Sequence, residues 1–357
     1  MIKPKSLKVG DKVAIVSLSR GLLGEPFIKH ELELGMKRLE EMGLVPVAME
    51  HALDGIETLA AHPEYRAVDL KQAFIDKTIR AVITAIGGDD TYQTLPYLMN
   101  DEEFVTAVKN DPKIFCGFSD TTMNHLMFYR LGLETFYGPA LITDLAELDT
   151  EMLPYTKKYL NKFLTNDIEV EIESSEVWYD DRENYGVEAI GTSRTEHTET
   201  HGFEVLKGTG KVRGKLYGGC IEVFYMAMTG WRHEDAKEIV EKAGVLLSPE
   251  EYADKILFLE TSDECPTPEE LERMLFELKK QGMFGARGII VGKPMQEKYY
   301  DEYKEVWQKV LADAEIPVLY NVNFGHAVPR CIVPYGVETE VDYGNKTIKV
   351  VEPLFSE

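Results

Sequence analysis

The chain places a residue type used in catalysis directly after an apolar strand pattern at three positions. The first is Ser119, which follows the run 113–118 and precedes a helical pattern. A sharp turn from strand to helix presents a serine hydroxyl above a sheet, as in a nucleophile elbow. The G-x-S-x-G form of that motif needs glycine at position 121, where this chain has Thr121. The alternative interpretation is that Ser119 or Asp120 only caps the helix.

The second candidate is the pair Gly87-Gly88, which follows the apolar run 81–86 and precedes two aspartates. Because glycine has no side chain, its backbone N–H can approach a ligand closely. We interpret this turn as a donor to an oxyanion hole, with a simple left-handed turn as the alternative. The chain contains neither G-x-x-x-x-G-K-[ST] nor G-x-G-x-x-G, so these phosphate-binding motifs are not indicated.

The third candidate combines two distant residues, Glu260 and His326. Glu260 ends the apolar run 255–260, and His326 lies in a loop bounded by glycine and proline after another apolar run. A serine is a weak nucleophile until a base takes its proton, and the base needs a partner that fixes its tautomer. Glutamate serves in that role in α/β-hydrolases. Taken alone, a loop histidine is more often structural and such a glutamate more often solvated.

Two further groups of residues are weaker candidates for a catalytic or metal site. His197 and His201 are four residues apart with Glu199 between them, a spacing that binds zinc on a helix. The stretch is rich in threonine and lacks the H-E-x-x-H order, so we do not expect a metal site there. Cys265 lies near Glu260, but no local Cys-His signature surrounds it.

Residues 174–202 form a polar stretch without clear periodicity that contains Trp178, Tyr179 and Tyr185. A segment of this length without regular structure is usually functional or disordered. Three aromatic residues are more than a linker requires, so we interpret the stretch as a binding loop.

Strand and helix patterns alternate through the first 150 residues, which predicts βαβ units and a parallel sheet. We therefore predict an α/β protein with an N-terminal domain, residues 1–165, built on a doubly wound, mostly parallel sheet. A connecting segment, 166–205, then leads to a C-terminal mixed α/β domain, 206–357. In that domain a helix begins at Pro268, with Thr267 as N-cap and Glu270 completing a capping box. Residues 343–346 read as a hairpin turn.

Composition excludes several classes of protein. Lysine and arginine total 39 and aspartate and glutamate total 62, which gives a net charge of −23. Such a chain repels nucleic-acid phosphates and anionic membranes. No run of 18 apolar residues is present, so no membrane span is predicted. The four cysteines form no C-x-x-C pair, which fits a reducing compartment, and we expect a cytoplasmic protein.

The motifs, in this order, resemble the serine LD-carboxypeptidase family that includes the microcin C self-immunity peptidases. The resemblance covers nearly the whole chain and is specific because the motifs keep their order and spacing. It rests on IKPKSLKVGDKVAIVSLS near the N-terminus, GGDD at 87–90, GFSD at 117–120, YGG at 217–219, LFLETSDECPTPEE at 257–270 and NFGHAVPR at 323–330.

The resemblance implies a two-domain Ser-His-Glu hydrolase, usually a homodimer, that needs no metal or other cofactor. Ser119 would be the nucleophile, His326 the general base and Glu260 its orienting partner. Backbone N–H groups of Gly88 and Asp120 would form the oxyanion hole. Family members often have asparagine after the paired glycines, whereas this chain has Cys220, so the resemblance does not extend to a substrate contact of that asparagine.

The long segment 165–210 resembles the immunity branch, which implies a microcin C-like peptidyl- or aminoacyl-nucleotide as substrate. Trp178, with Tyr179 as alternate, would stack on the nucleobase; alternatively, Trp178 only anchors the loop. An acidic acyl group requires local positive charge, for which Lys293 and Arg330 are the candidates. One alternative function is removal of a terminal D-amino acid from a muropeptide. An alternative of another class is a non-catalytic binding protein on the same scaffold.

Overall fold

The computed structural model describes residues 1–165, 167 and 170–356, which form two compact units. The first unit comprises Met1–Asn166, Arg182–Arg194 and Leu354–Glu357, and the second comprises Asp167–Asp181 and Thr195–Pro353. Within the predicted connecting segment 166–205, residues 182–194 belong to the first unit, and residues 167, 170–181 and 195–205 belong to the second. The predicted boundary at residue 166 lies outside the described residues.

The first unit is built on parallel strands in the order β5-β4-β3-β1-β2. This order reverses between β1 and β3, as in doubly wound sheets, whose ligands bind outside the carboxyl ends of the strands. Near-continuous apolar sequences form these strands, because both faces of such a sheet are covered. The strands are β1 Lys12–Val16, β2 Val45–Ala48, β3 Ile79–Thr84, β4 Ile114–Gly117 and β5 Thr135–Tyr137.

Helices connect these strands, as the alternating pattern predicts. They are α1 Lys29–Glu41, α2 Ile56–Ala61, α3 Pro63–Ile75, α4 Leu95–Leu98, α5 Glu102–Asn110, α6 Thr122–Leu131 and α7 Pro154–Leu160. The Asp101 carboxylate accepts a hydrogen bond from the Phe104 N–H and caps α5. Gly132 ends α6 in the left-handed conformation, at φ +88°.

A buried carboxylate anchors residues 182–194 to the first unit. The Glu147 side chain accepts hydrogen bonds from Arg182 Nε at 3.1 Å and from Arg194 Nε at 2.6 Å. Burial alone would raise the pKa of Glu147, but the two guanidinium groups hold it below its usual range. Because these arginines are the first and last residues of the stretch, one carboxylate fixes both of its ends.

The second unit contains a mixed sheet in the order β6-β16-β15-β10-β11-β12-β13-β9. Strands β10 to β13 are parallel, and antiparallel strands flank them on both sides. The strands of this unit are β6 Val170–Ile172, β7 Val177–Tyr179, β8 Glu196–Thr198, β9 Glu204–Lys207, β10 Lys211–Cys220, β11 Lys255–Glu260, β12 Gly288–Gly292, β13 Val318–Val322, β14 Val333–Tyr335, β15 Glu338–Asp342 and β16 Thr347–Val350.

The helices of the second unit are α8 Ile221–Thr229, α9 Ala236–Ala243, α10 Pro268–Lys280 and α11 Tyr300–Val310. The capping box of α10 is confirmed, since Thr267 and Glu270 each bind the other's backbone N–H. The hairpin turn at 343–346 is confirmed as well, between β15 and β16. The α/β fold with a parallel first sheet and a mixed second sheet is thus the predicted one. No helix formed by the described residues is long and apolar enough to cross a membrane.

Candidate active site

Ser119 occupies a sharp turn between β4 and α6. Its φ is +64°, a left-handed conformation that costs a non-glycine residue about 1–2 kcal/mol. Its backbone N–H donates to the hydroxyl of Tyr137 at 3.0 Å, and its carbonyl accepts from the Thr122 hydroxyl at 2.7 Å. A strained residue held by such contacts is typical of a nucleophile elbow. The geometry of this turn therefore matches the motif in spite of Thr121.

Gly87 allows the turn after β3 to approach Ser119. A Cβ at Gly87 would lie 2.8 Å from the Cβ and 2.9 Å from the Oγ of Ser119, too close for any side chain. Gly88 is packed just as closely against Ser19, whose Oγ would lie 2.1 Å from an added Cβ. Both glycines are thus required by close packing in the first unit, and Gly87 is the one beside Ser119.

Asp120 does not serve as a helix cap. Its carboxylate is buried and accepts the N–H of Thr91 at 2.8 Å, in the turn that follows Asp90. Burial raises the pKa of Asp120 to about 6. Asp90 is itself bound by both terminal nitrogens of the buried Arg66, at 2.7 and 3.1 Å. The Asp120 carboxylate therefore connects the turn of Ser119 with the segment that follows the glycine turn.

Glu260 and His326 meet in the second unit. Oε2 of Glu260 accepts a hydrogen bond from Nδ1 of His326 at 2.7 Å, and it also accepts the His326 backbone N–H at 3.1 Å. The side chains are 1% and 8% exposed, respectively. Two glycines make room for the pair, because a Cβ at Gly325 would lie 2.3 Å from Cδ of Glu260 and one at Gly292 would lie 2.7 Å from its Cβ.

This pair favours the charged form of the histidine. Burial by itself lowers the pKa of His326, but the charge and hydrogen bond of Glu260 outweigh burial and leave the pKa above its ordinary value. Asp263 adds to the increase, and the Arg330 guanidinium opposes it. A histidine held in this way can take up a proton at Nε2 while its carboxylate partner stabilises the resulting imidazolium.

A second buried carboxylate lies beside this pair, and the sequence interpretation missed it. Glu222 accepts the backbone N–H of Ser262 at 2.9 Å and its hydroxyl at 2.7 Å, and Cys220 Sγ lies 3.3 Å from the same carboxylate. Burial and the charge of Glu260 raise the pKa of Glu222. The available signal was an acidic residue at the start of an otherwise apolar helix, α8.

Trp178 lies in a two-stranded ribbon formed by β7 and β8. It pairs with His197 across the ribbon, and the two rings stack with centroids 4.0 Å apart. The neighbouring Tyr179 donates its backbone N–H to the carbonyl of Val328 at 2.9 Å, two residues beyond His326. The ribbon is thus bonded to the loop that carries His326.

The H-T-E-T-H stretch has structural partners. His197 stacks on Trp178, and His201 stacks on Tyr300 with ring centroids 4.3 Å apart. Glu199 forms a 2.9 Å ion pair with Lys293. Across residues 1–165, 167 and 170–356, no group of three or more His, Cys, Asp or Glu side chains is arranged to hold a metal ion.

The two candidate cations differ in their surroundings. Lys293 is 1% exposed, and its ammonium binds Glu199, Glu297 and the side-chain oxygen of Asn321. It also lies 5.4 Å from the centre of the Trp178 ring. Its charge is therefore balanced by two carboxylates. Arg330 is 4% exposed and close enough to His326 to lower its pKa.

Comparisons with known proteins identify two family domains in this chain. A model of the LD-carboxypeptidase N-terminal domain matches residues 13–138, and one of the C-terminal domain matches residues 213–341. The microcin C7 self-immunity protein MccF of Escherichia coli is 30% identical over 302 residues, covering 82% of this chain and 79% of that protein. A probable murein peptide carboxypeptidase of Bacillus subtilis is 28% identical, covering 99% of this chain and 96% of that protein.

Solved structures of other proteins resemble the structure of this chain over 98% or more of its length. The structure of an MccF-like protein from Streptococcus pneumoniae in complex with AMP has a TM-score of 0.90 and 42% identity, covering 98% of this chain and 100% of that one. The structure of the microcin C7 self-immunity protein MccF in complex with aspartyl sulfamoyl adenosine has a TM-score of 0.82 and 26% identity, covering 100% of both chains.

Proposed function

Since this chain belongs to the LD-carboxypeptidase family of serine peptidases, we propose that it cleaves an amide bond with Ser119, His326 and Glu260. The observation that carries the proposal is the 2.7 Å hydrogen bond between Nδ1 of His326 and the buried carboxylate of Glu260. The strained turn of Ser119 supports the choice of nucleophile.

In the proposed reaction Ser119 Oγ attacks the scissile carbonyl while Nε2 of His326 takes its proton. Glu260 keeps Nδ1 protonated and stabilises the imidazolium that forms. The imidazolium returns the proton to the leaving nitrogen as the C–N bond breaks. His326 then takes a proton from a water molecule that attacks the acyl-serine ester. It returns this proton to Ser119 Oγ as the ester C–O bond breaks, which releases the carboxylic acid and restores the enzyme.

The carbonyl oxygen becomes negatively charged during attack and needs hydrogen-bond donors. We propose the backbone N–H groups of Asp120 and Gly88 for this role. The support is the close approach of the glycine turn to Ser119, which requires glycine at position 87. The buried Asp120 carboxylate also accepts the N–H of Thr91, three residues beyond Gly88, which connects the two segments that carry the proposed donors.

The substrate that we propose is a peptidyl- or aminoacyl-nucleotide of the microcin C type, whose hydrolysis would give self-immunity or detoxification. Support comes from the ligands of the similar proteins, AMP and aspartyl sulfamoyl adenosine. Trp178 is the proposed stacking residue for the nucleobase, with Tyr179 as alternate, because their ribbon is bonded to the His326 loop. Arg330, which is close enough to His326 to lower its pKa, is the proposed cation for a negatively charged linker, and Lys293 is the second proposed cation.

A second candidate is removal of a terminal D-amino acid from a muropeptide by the same three residues. It is favoured by the 28% identity to the probable murein peptide carboxypeptidase over almost the whole chain.

The predicted homodimer is independent of the choice between the two substrates and stays a prediction. Light scattering of the purified protein tests it.

Paired assays test the proposal and separate the two substrates. We expect the purified protein to hydrolyse an aminoacyl sulfamoyl adenosine, and the folded Ser119→Ala variant to have lost at least about 1,000-fold in kcat. Turnover of a muropeptide tetrapeptide without turnover of the nucleotide would establish the second candidate instead. Near-normal turnover by Ser119→Ala would refute the mechanism for both.

A binding measurement tests the role of Trp178. In the Ser119→Ala background, Trp178→Ala should weaken AMP binding about tenfold, since stacking of a base on an aromatic ring contributes about 1–3 kcal/mol. Trp178→Phe should retain most of the affinity. Trp231→Ala serves as the matched control, because Trp231 packs against Tyr225 in α8. Equal affinities for all variants would assign Trp178 to anchoring of the ribbon alone.

A further inference from the structure

Asp263 lies beside the nitrogen of His326 that the proposed mechanism uses. Its Oδ1 is 3.8 Å from Nε2, whereas Glu260 engages Nδ1 on the opposite side of the ring. The Asp263 side chain is 69% exposed and the histidine only 8%. The carboxylate therefore stands on the solvent side of a buried base.

The position of Asp263 is fixed by its neighbours in the chain. Ser262 is bound through its N–H and hydroxyl to the buried Glu222. Its carbonyl accepts the N–H of Cys265 at 3.1 Å, and Cys265 has a φ of +48°. Helix α10 begins three residues later, behind its Thr267 cap. A short turn held at both ends thus carries Asp263, even though its side chain is exposed.

A substrate must bring charged groups close to this carboxylate. In a serine hydrolase, Nε2 of the base lies within hydrogen-bond reach of the nucleophile, whose oxygen bonds to the scissile carbonyl carbon. The α-nitrogen of the acyl residue is two bonds from that carbon. A carboxylate about 4 Å from Nε2 is therefore at most about 11 Å from the α-nitrogen, and within that range it attracts an ammonium group but not an uncharged amide.

We propose that Asp263 determines specificity by favouring substrates whose acyl residue has a free α-ammonium group. The inference rests on the proposed function and narrows it, since an aminoacyl-nucleotide has such a group and a peptidyl-nucleotide or muropeptide has an amide at that position. The sequence stretch L-E-T-S-D-E-C supplies both the partner of the base and this second carboxylate.

The test compares two ligands by calorimetry in the Ser119→Ala background, where no hydrolysis occurs. The ligands are L-alanyl sulfamoyl adenosine and its N-acetyl derivative, which share the uncharged alanine side chain. Both are measured at pH 6.5. We expect the free amine to bind about tenfold more tightly, and Asp263→Asn to reduce that ratio to about twofold. Glu264→Gln is the matched control, because this neighbouring acid pairs with Arg232 and should leave the ratio unchanged.

Several outcomes would overturn the inference. They are equal affinities of the two ligands for the parent protein, an unchanged ratio in Asp263→Asn, and failure of the free-amine ligand to bind. The measurement needs no turnover, so its outcome is separate from that of the proposed function. The proposed function is tested by hydrolysis in the unmodified protein and by the loss of hydrolysis in Ser119→Ala. An independent readout is the acidic limb of kcat/KM, which should move to lower pH in Asp263→Asn as the pKa of His326 falls.

Discussion

One oxygen of Glu260 binds His326 twice. Oε2 lies 2.7 Å from the ring nitrogen Nδ1 and 3.1 Å from the backbone nitrogen of the same residue. The ring and the loop that carries it therefore share a single acceptor, which fixes both the tautomer and the direction of the imidazole. A substitution of Glu260 changes the charge next to the ring and the anchor of the loop together.

Replacement of Glu260 by glutamine tests that arrangement. The amide keeps the shape but loses the charge, so we expect kcat to fall by about 10³–10⁴, as in comparable triads. His326 acts as a base only when neutral, so activity falls as the pH drops through its raised pKa. Loss of the charge should shift that limb of kcat/KM to lower pH. A loss of less than tenfold would be inconsistent with the assigned role.

Gly325→Ala should inactivate the protein by displacing Glu260. Gly325 has a φ of +73°, and an added Cβ would lie 2.3 Å from Cδ of Glu260. Gly244→Ala provides the control, because Gly244 has a φ of +65° with no atom within 4 Å of an added Cβ. We expect both variants to lose about 1–2 kcal/mol of unfolding free energy in urea from backbone strain. Only Gly325→Ala should lose kcat, and equal activity in the two variants would contradict the prediction.

The strain at Ser119 predicts an order of stabilities. Alanine keeps the unfavourable φ of +64°, whereas glycine adopts it freely. We expect Ser119→Gly to exceed Ser119→Ala in free energy of unfolding by about 1 kcal/mol, after the entropy of glycine in the unfolded chain is subtracted. Both variants should be inactive. Urea denaturation at one pH gives the comparison, and a more stable alanine variant would argue against strain at this turn.

Glu31 should make the protein less stable as the pH rises. Burial, and then the charge of Glu147, raise its pKa to about 7 from 4.5. A carboxyl with a raised pKa in the folded state stabilises that state below pH 4.5, and the contribution disappears as the pH rises to about 7. The loss is on the order of 3 kcal/mol. Unfolding free energies measured between pH 4.5 and 8 should show this decline, and Glu31→Gln should remove most of it. An identical decline in the variant would assign it to other groups.

Features that depend on neighbouring residues could be predicted from the sequence. The capping box of Thr267 and Glu270 and the turn at 343–346 each span four residues, so local sequence determines both. The strands were predictable because buried parallel strands need continuous apolar runs, as in β11, whose six residues are all buried. The candidate residues after these strands followed from the same pattern.

Features that depend on distant partners could not be predicted in this way. Glu222 binds Ser262 across 40 residues, and Glu147 binds Arg194 across 47, so the local sequence does not identify the partner of either acid. The stacking of His197 on Trp178 requires the pairing of β7 with β8, which the irregular composition of that stretch conceals. The division of residues 166–205 between the two units has the same origin, since the arginines that cause it have no local signature.

That division restricts how the protein can be cut into fragments. A fragment that ends at residue 166 lacks Arg182 and Arg194 but retains Glu147, which is only 3% exposed. Loss of the partners of a buried charge destabilises a protein by about 3–5 kcal/mol, a large part of the stability of an ordinary domain. The C-terminal residues 354–357 would also be missing, together with the bond from Ser356 to Pro4. The first unit is thus completed by residues that follow the second unit in the chain, so its folding is expected to finish only after the second unit has been synthesised.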